Sequence, residues 1–141
     1  MTDFPEVYVY SLESVIAEKF EAIVSNGFLN SRYKDFYDIF VLSRENCYDG
    51  NLLAKAIIET FEHRRTALSA DVSAFTEDYY RNSINETRWN AFLKKKKVLL
   101  YVSLETVVKA DRDFLIPLIN RTKAGETDSD ICWNNEKGVW E

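Results

Sequence analysis

The sequence predicts a mainly α-helical fold: a bundle of about five helices, with at most one short strand near the amino terminus. Three observations carry this. Apolar residues recur at helical spacing through most of the chain. Serines stand immediately before two of these periodic runs, at Ser11 and Ser103, where helices take their caps. Only "EVYVY", Glu6–Tyr10, alternates in the manner of a strand, and the chain offers it no obvious partner.

Glu6–Tyr10 is therefore a short strand or an extended lead-in. The first helix, "LESVIAEKFEAIVSNG", opens after Ser11 and closes at Gly27. "FLNS" connects it to a second helix from about Arg32 to Glu45, with Ser31 as the expected cap. "NCYDGN" carries the Asp-Gly signal of a turn. "LLAKAIIETFEHRR" is the third helix, and residues 66–74 read as loop. Thr76 heads the fourth, "EDYYRNSINETRWNAFLKKKK", which the asparagines at 82 and 85 interrupt. The last helix, "SLETVVKADRDFLIPLI", places Asp111 on the same faces as Val107, Val108 and Phe114, and Pro117 should end or kink it. The turn-rich tail holds Trp133 and Trp140, large apolar surfaces that favour packing back onto the body. The layout is one domain over 1–141: a lead-in over 1–10, a helical body over 11–121 and a tail over 122–141.

With 141 residues, 46% of them hydrophobic, the chain can build a real core. A net charge of −5 lacks the whole-chain basic footprint of a dedicated nucleic-acid binder. His63 is the only histidine, which excludes His-rich metal sites. Cys47 and Cys132 suggest free thiols and a cytoplasmic setting. No apolar run approaches membrane-span length, so no membrane association is expected.

The chemistry concentrates in "SRYKDFYDIF", Ser31–Phe40, where two aspartates stand three apart in an otherwise apolar and aromatic helix. Burying an unpaired carboxylate is costly. At about 100° per residue, Asp35 and Asp38 share one sector, which also holds Leu42. The helix N-terminal dipole accounts well for Asp35 and less well for Asp38. On the first helix, Lys19 lies about 60° from the centre of the apolar stripe, with Glu18 and Glu21 on the far side. The short connector makes the two helices antiparallel neighbours, so Lys19 is the best cation to meet both carboxylates. Two readings stay open. The group is a structural ion pair, or it lines a cleft that takes an anion.

"YSLESVIAEKFEAIVSNGFLNSRYKDFYDIF" resembles the AbiEii/AbiGii nucleotidyltransferase-like toxins of bacterial abortive-infection (phage defence) and type IV toxin–antitoxin systems. Weaker likeness runs through "DGNLLAKAIIETFEHRRTAL", "RWNAFLKKK", and Trp133, Gly138 and Trp140. The family resembles polymerase-β-type nucleotidyltransferases, and its helical half supplies a lysine in "AEK" and an aspartate in "KDFYD". The resemblance thus implies catalytic roles for Lys19 and Asp35, with Asp38 as a second carboxylate, and nucleotide binding by Lys19, Arg32 and Lys34. It implies a nucleoside triphosphate with magnesium, an RNA acceptor in some members, and an antitoxin partner. The family's amino-terminal half carries a Gly-rich segment and an Asp-x-Asp metal pair on a sheet. Neither stands here, since "DSD" at Asp128–Asp130 follows no strand or Gly-rich turn and reads as solvated loop. The chain therefore looks like the carboxy-terminal half of such an enzyme, inactive alone and without metal ligands of its own. It should expose an apolar face for self-association or for an amino-terminal half. The alternative is a non-catalytic helical interaction protein. "KKKK", Lys94–Lys97, and "HRR", His63–Arg65, read as solvated helix ends, or as contacts to RNA and to a nucleotide or acidic partner.

Overall fold

The computed structural model describes residues 11–29, 31–97, 101–126 and 129–141. The expected strand or lead-in at Glu6–Tyr10 and the Asp128 of "DSD" lie outside the described residues. The chain order is α1 (Leu12–Asn26), α2 (Tyr33–Glu45), β1 (Tyr48–Asp49), α3 (Gly50–His63), α4 (Glu77–Tyr80), α5 (Ser83–Lys96), α6 (Leu104–Lys123), β2 (Cys132–Asn134) and β3 (Val139–Trp140). Single 3₁₀ turns lie at Gly27–Leu29 and Ser73–Phe75. The fold is mainly α, as the periodicity predicts.

α1 forms where its caps say it should. Ser11 Oγ accepts from the Ser14 N–H at 3.1 Å. At the other end Gly27 takes φ +62°, and its N–H reaches the carbonyls of Ile23 and Val24. Ile16, Ala17, Phe20 and Ile23 of α1 are buried, and the helix packs mainly against α3 and α2. Phe20 stacks on Phe75, with centroids 5.9 Å apart, so the loop after α3 contributes core through its 3₁₀ turn. Phe36 of α2 stacks on Tyr79 at 5.6 Å. The predicted break in the fourth helix is real. α4 ends at Tyr80, and Asn82 restarts the chain by accepting from the Ile84 and Asn85 N–H groups.

Four local expectations are corrected. Ser31 is not the cap of α2. Arg32 holds that position and makes no side-chain capping bond. Thr76 sits at the α4 cap, but its hydroxyl donates to the Ser73 carbonyl at 2.7 Å instead of capping. The Asp-Gly pair at 49–50 is a helix start and not a plain turn, for the Asp49 carboxylate accepts from the Asn51 and Leu52 N–H groups. Of the two outcomes expected at Pro117, the helix end is the one corrected, since α6 runs six residues further to Lys123. Proline removes the hydrogen bond to the carbonyl of Asp113, and both residues are exposed, where water can satisfy that carbonyl.

β1 and the tail strands β2 and β3 form a three-stranded antiparallel sheet, ordered β1-β2-β3, which corrects the expectation of at most one short strand and which no periodicity could announce. Tyr48 pairs with Trp133 and Trp133 with Trp140. Phe114 of α6 stacks on Trp140 at 5.7 Å and meets Trp133 edge-on at 4.8 Å. The Trp133 indole donates to the Ser43 carbonyl at 2.7 Å, and the Trp140 indole to the Phe114 carbonyl at 2.9 Å. Gly50 allows the close approach. Its N–H donates to the Ile131 carbonyl at 2.8 Å, and a Cβ there would lie 2.5 Å from Ile131 Cγ1.

Candidate functional site

Three cations converge on two carboxylates where α1 passes the start of α2. Lys19 Nζ lies 2.9 Å from Asp38 Oδ2 and 3.5 Å from Asp35 Oδ1. Arg32 Nε lies 2.5 Å from Asp35 Oδ2, and Lys34 Nζ 2.6 Å from Asp38 Oδ2. All five residues named from the sequence therefore belong to one cluster. Their burial differs in a useful way. The Asp35 side chain is 7% exposed and that of Lys19 22%, while Arg32 and Lys34 are 53% and 64% exposed. The inner pair is the more buried, and the outer cations bond the carboxylates from the solvent side.

Helix geometry explains the convergence. Asp35 and Asp38 are one turn apart on α2, and Lys34 precedes Asp38 by four residues, the spacing that brings side chains together. Arg32 reaches Asp35 across three residues from the cap position. Electrostatics follow. Partial burial alone would push the Asp38 carboxyl up, but the bonds and charges of Lys34 and Lys19 together outweigh it and hold the carboxyl below its usual range. The hydrogen bond to Asp35, with its charge, raises the Arg32 guanidinium above its ordinary value.

Beside the cluster opens a cleft of about 380 Å³, lined by Glu18, Lys19, Glu21, Asn26, Arg32, Asp35 and Arg64 among others. A second depression of about 290 Å³, lined by Arg32, Tyr33, Lys34, Asp35 and Phe92, lies on the other side of Arg32 and Asp35. Two wall residues were not legible as such. Glu21, placed on the solvent side by the helical wheel, is 6% exposed and accepts from the Thr66 hydroxyl at 2.6 Å. Arg64 donates to Glu18 at 2.7 Å. Both contacts span some 45 residues of sequence. The only trace in the sequence is the "HRR" run that ends α3.

The chemistry this arrangement offers is anion capture. Lysine and arginine side chains face a polar cleft, and a buried carboxylate fixes their positions. Magnesium fits less well. Asp35 and Asp38 already serve cations, and no group of three His, Cys, Asp or Glu side chains among the described residues could hold a metal ion. Elsewhere the surface is plain. Cys47 and Cys132 are free and exposed. His63 is exposed. Lys96 lies 5.5 Å from the centre of the Tyr37 ring. Trp89 and Tyr79 are core residues, 1% and 0% exposed. No helix among the described residues is long and apolar enough to cross a membrane.

Fold and cleft define a helical domain with a lysine–aspartate cluster at the rim of a polar cleft. The family model described as nucleotidyl transferase AbiEii toxin, type IV toxin–antitoxin system, matches residues 1–108. The chain belongs to that family. The match takes in Lys19, Arg32, Lys34, Asp35, Asp38 and the Arg64 wall, and stops within α6, before β2 and β3. No curated protein and no solved structure matches the chain.

Proposed function

We propose that this chain is the nucleotide-holding helical module of an AbiEii-type nucleotidyltransferase toxin. The observation that carries the reading is the Lys19 ammonium, held on Asp38 and Asp35 at the rim of a cleft whose other cations are Arg32 and Arg64. Lys19 contacts the phosphates of a nucleoside triphosphate. Asp35 fixes Lys19 and Arg32 in place, Asp38 shares Lys19 with it, and Lys34 and Arg32 extend the positive edge. The second depression, with Phe92 in its wall, suits the sugar or base. In the transfer, an acceptor hydroxyl attacks the α-phosphorus and pyrophosphate leaves. Cations on the phosphates stabilise the developing charge.

Magnesium would supply further charge neutralisation, and an Asp-x-Asp pair such as the family carries would hold it. An RNA acceptor fits the exposed lysines that close α5. Type IV systems pair toxin with antitoxin, so an antitoxin is the expected protein partner. We place the protein in the cytoplasm, in keeping with its unbridged exposed thiols. Self-association would use the large exposed apolar side chains, Leu12, Phe28, Leu52, Ile84, Tyr101 and Val139, which come from separate segments.

A second reading has one observation in its favour: each aspartate of the cluster already has cationic partners, as a purely structural network in an interaction module would. The two separate by assay. Mixed with a polypeptide carrying the Gly-rich and Asp-x-Asp half, this chain should label RNA from a radioactive nucleoside triphosphate. The same mixture with Lys19→Ala should not. Equal labelling with either chain, or none with the wild type, leaves the interaction module as the better account.

A further inference from the structure

We infer that Arg64 is a second phosphate-contacting residue of the cleft and that Glu18 holds it in reserve, so that an incoming triphosphate must displace a carboxylate from Arg64 to bind. The inference rests on the nucleotide reading above and adds a residue and a control to it.

The backbone under Arg64 is firmly placed. α3 ends with the Thr66 N–H on the Phe61 carbonyl and the Arg65 N–H on the Glu62 carbonyl, at 2.9 and 3.1 Å. This paired closure requires the left-handed conformation that Arg65 adopts at φ +57°. The Thr66 hydroxyl is then tied to the buried Glu21 of α1. Residue 64 is thereby pinned to the cleft wall. Its side chain is not pinned. The Arg64 and Glu18 side chains are 52% and 44% exposed, and exposed ion pairs are easily broken.

Charge balance gives the pair its meaning. Among the charged lining residues, Lys19, Arg32 and Arg64 face Glu18, Glu21 and Asp35, so the resting cleft is neutral overall. Lys19 and Arg32 are bound to Asp35, which is too buried to move aside. Glu18 is the one acid there that is both exposed and bound to an arginine. It also borders a shallow depression with Ser14, Val15 and Lys19, and its side chain reaches solvent. A triphosphate presents several negative charges and bidentate geometry to a guanidinium, against the single charge of Glu18.

The test is calorimetric titration of ATP with magnesium into the full chain and its Glu18→Gln, Arg64→Ala and Glu18→Gln/Arg64→Ala variants, each first shown to unfold at the wild-type temperature. Glu18→Gln should tighten binding about three- to ten-fold, and Arg64→Ala should weaken it by a similar factor. The double variant should match Arg64→Ala alone, because Glu18 acts only through Arg64. Arg64→Lys, which keeps charge but loses the fork, should fall between wild type and Arg64→Ala. Weaker or unchanged binding in Glu18→Gln, or independent effects in the double variant, overturns the inference. Binding that Lys19→Ala abolishes and Arg64→Ala leaves alone overturns it while sparing the nucleotide reading. No binding by wild type or Glu18→Gln overturns both.

Discussion

Asp111 makes a quantitative demand on this fold. It lies on α6 between buried Val107, Val108, Phe114 and Leu115, is 0% exposed, and neither carboxyl oxygen has a hydrogen-bond partner among the described residues. Among the described residues no cation pairs with it. Burial therefore pushes its pKa well above the carboxylate range, so the folded protein holds the proton to higher pH than the unfolded chain does. The unfolded chain releases that proton at an ordinary carboxylate pKa. Between those two pKa values the unfolded state binds fewer protons than the folded one, so stability falls as pH rises. The stability present below the unfolded pKa is lost progressively until pH passes the folded pKa. The slope is at most about 1.4 kcal/mol per pH unit for one proton. Asp111→Asn keeps the shape and removes the titration. Urea unfolding at pH 5, 6 and 7 should show the variant gaining on wild type by up to about 2.7 kcal/mol over the two units. That is a large fraction of the roughly 7–15 kcal/mol expected for a domain of this size. Parallel pH dependences for the two proteins would refute the assignment of a buried, protonated Asp111.

Gly50→Ala should cost about 1–3 kcal/mol in chemical unfolding, because the new methyl would meet Ile131 Cγ1 at 2.5 Å and its carbonyl oxygen at 3.1 Å. Arg65→Gly should raise the thermal midpoint, with a net gain of about 0.5–1 kcal/mol from relieving φ +57° against glycine's entropy cost. Asp38 has the opposite sign to Asp111. Its lowered pKa contributes stability above the ordinary carboxylate pKa that is lost as pH falls, and Asp38→Asn should remove about 0.5–1 kcal/mol of that acid-side loss, modest because the group is partly exposed.

What could be read in the sequence, and what could not, divides by range. α1 was legible to the residue at both ends because Ser11 and Gly27 act within one turn. The meeting of Lys19 with Asp35 and Asp38 was legible because a short connector joins two helices whose phases the periodicity sets. The sheet was not, since strands of two or three residues are too short to show alternation and β1 meets β2 across more than 80 residues. Glu21 was misplaced because a wheel knows only its own helix, while Thr66, beyond the end of α3, covers that side. Arg64 was visible as part of a basic run, but its partner Glu18 belongs to another helix. Asp111 stood on the apolar face in the sequence, and only the packed structure shows that no described residue bonds its carboxyl group.

The account stands on Lys19 as a phosphate anchor, and the most direct measurement is calorimetry of each nucleoside triphosphate with magnesium, titrated into wild type and into Lys19→Ala of confirmed fold. At least one nucleotide should bind the wild-type chain, and the loss of the ammonium should weaken it by about ten-fold or more. Silence from every nucleotide, or equal heats from the two proteins, would contradict the account and leave the lysine as a structural tie between α1 and α2.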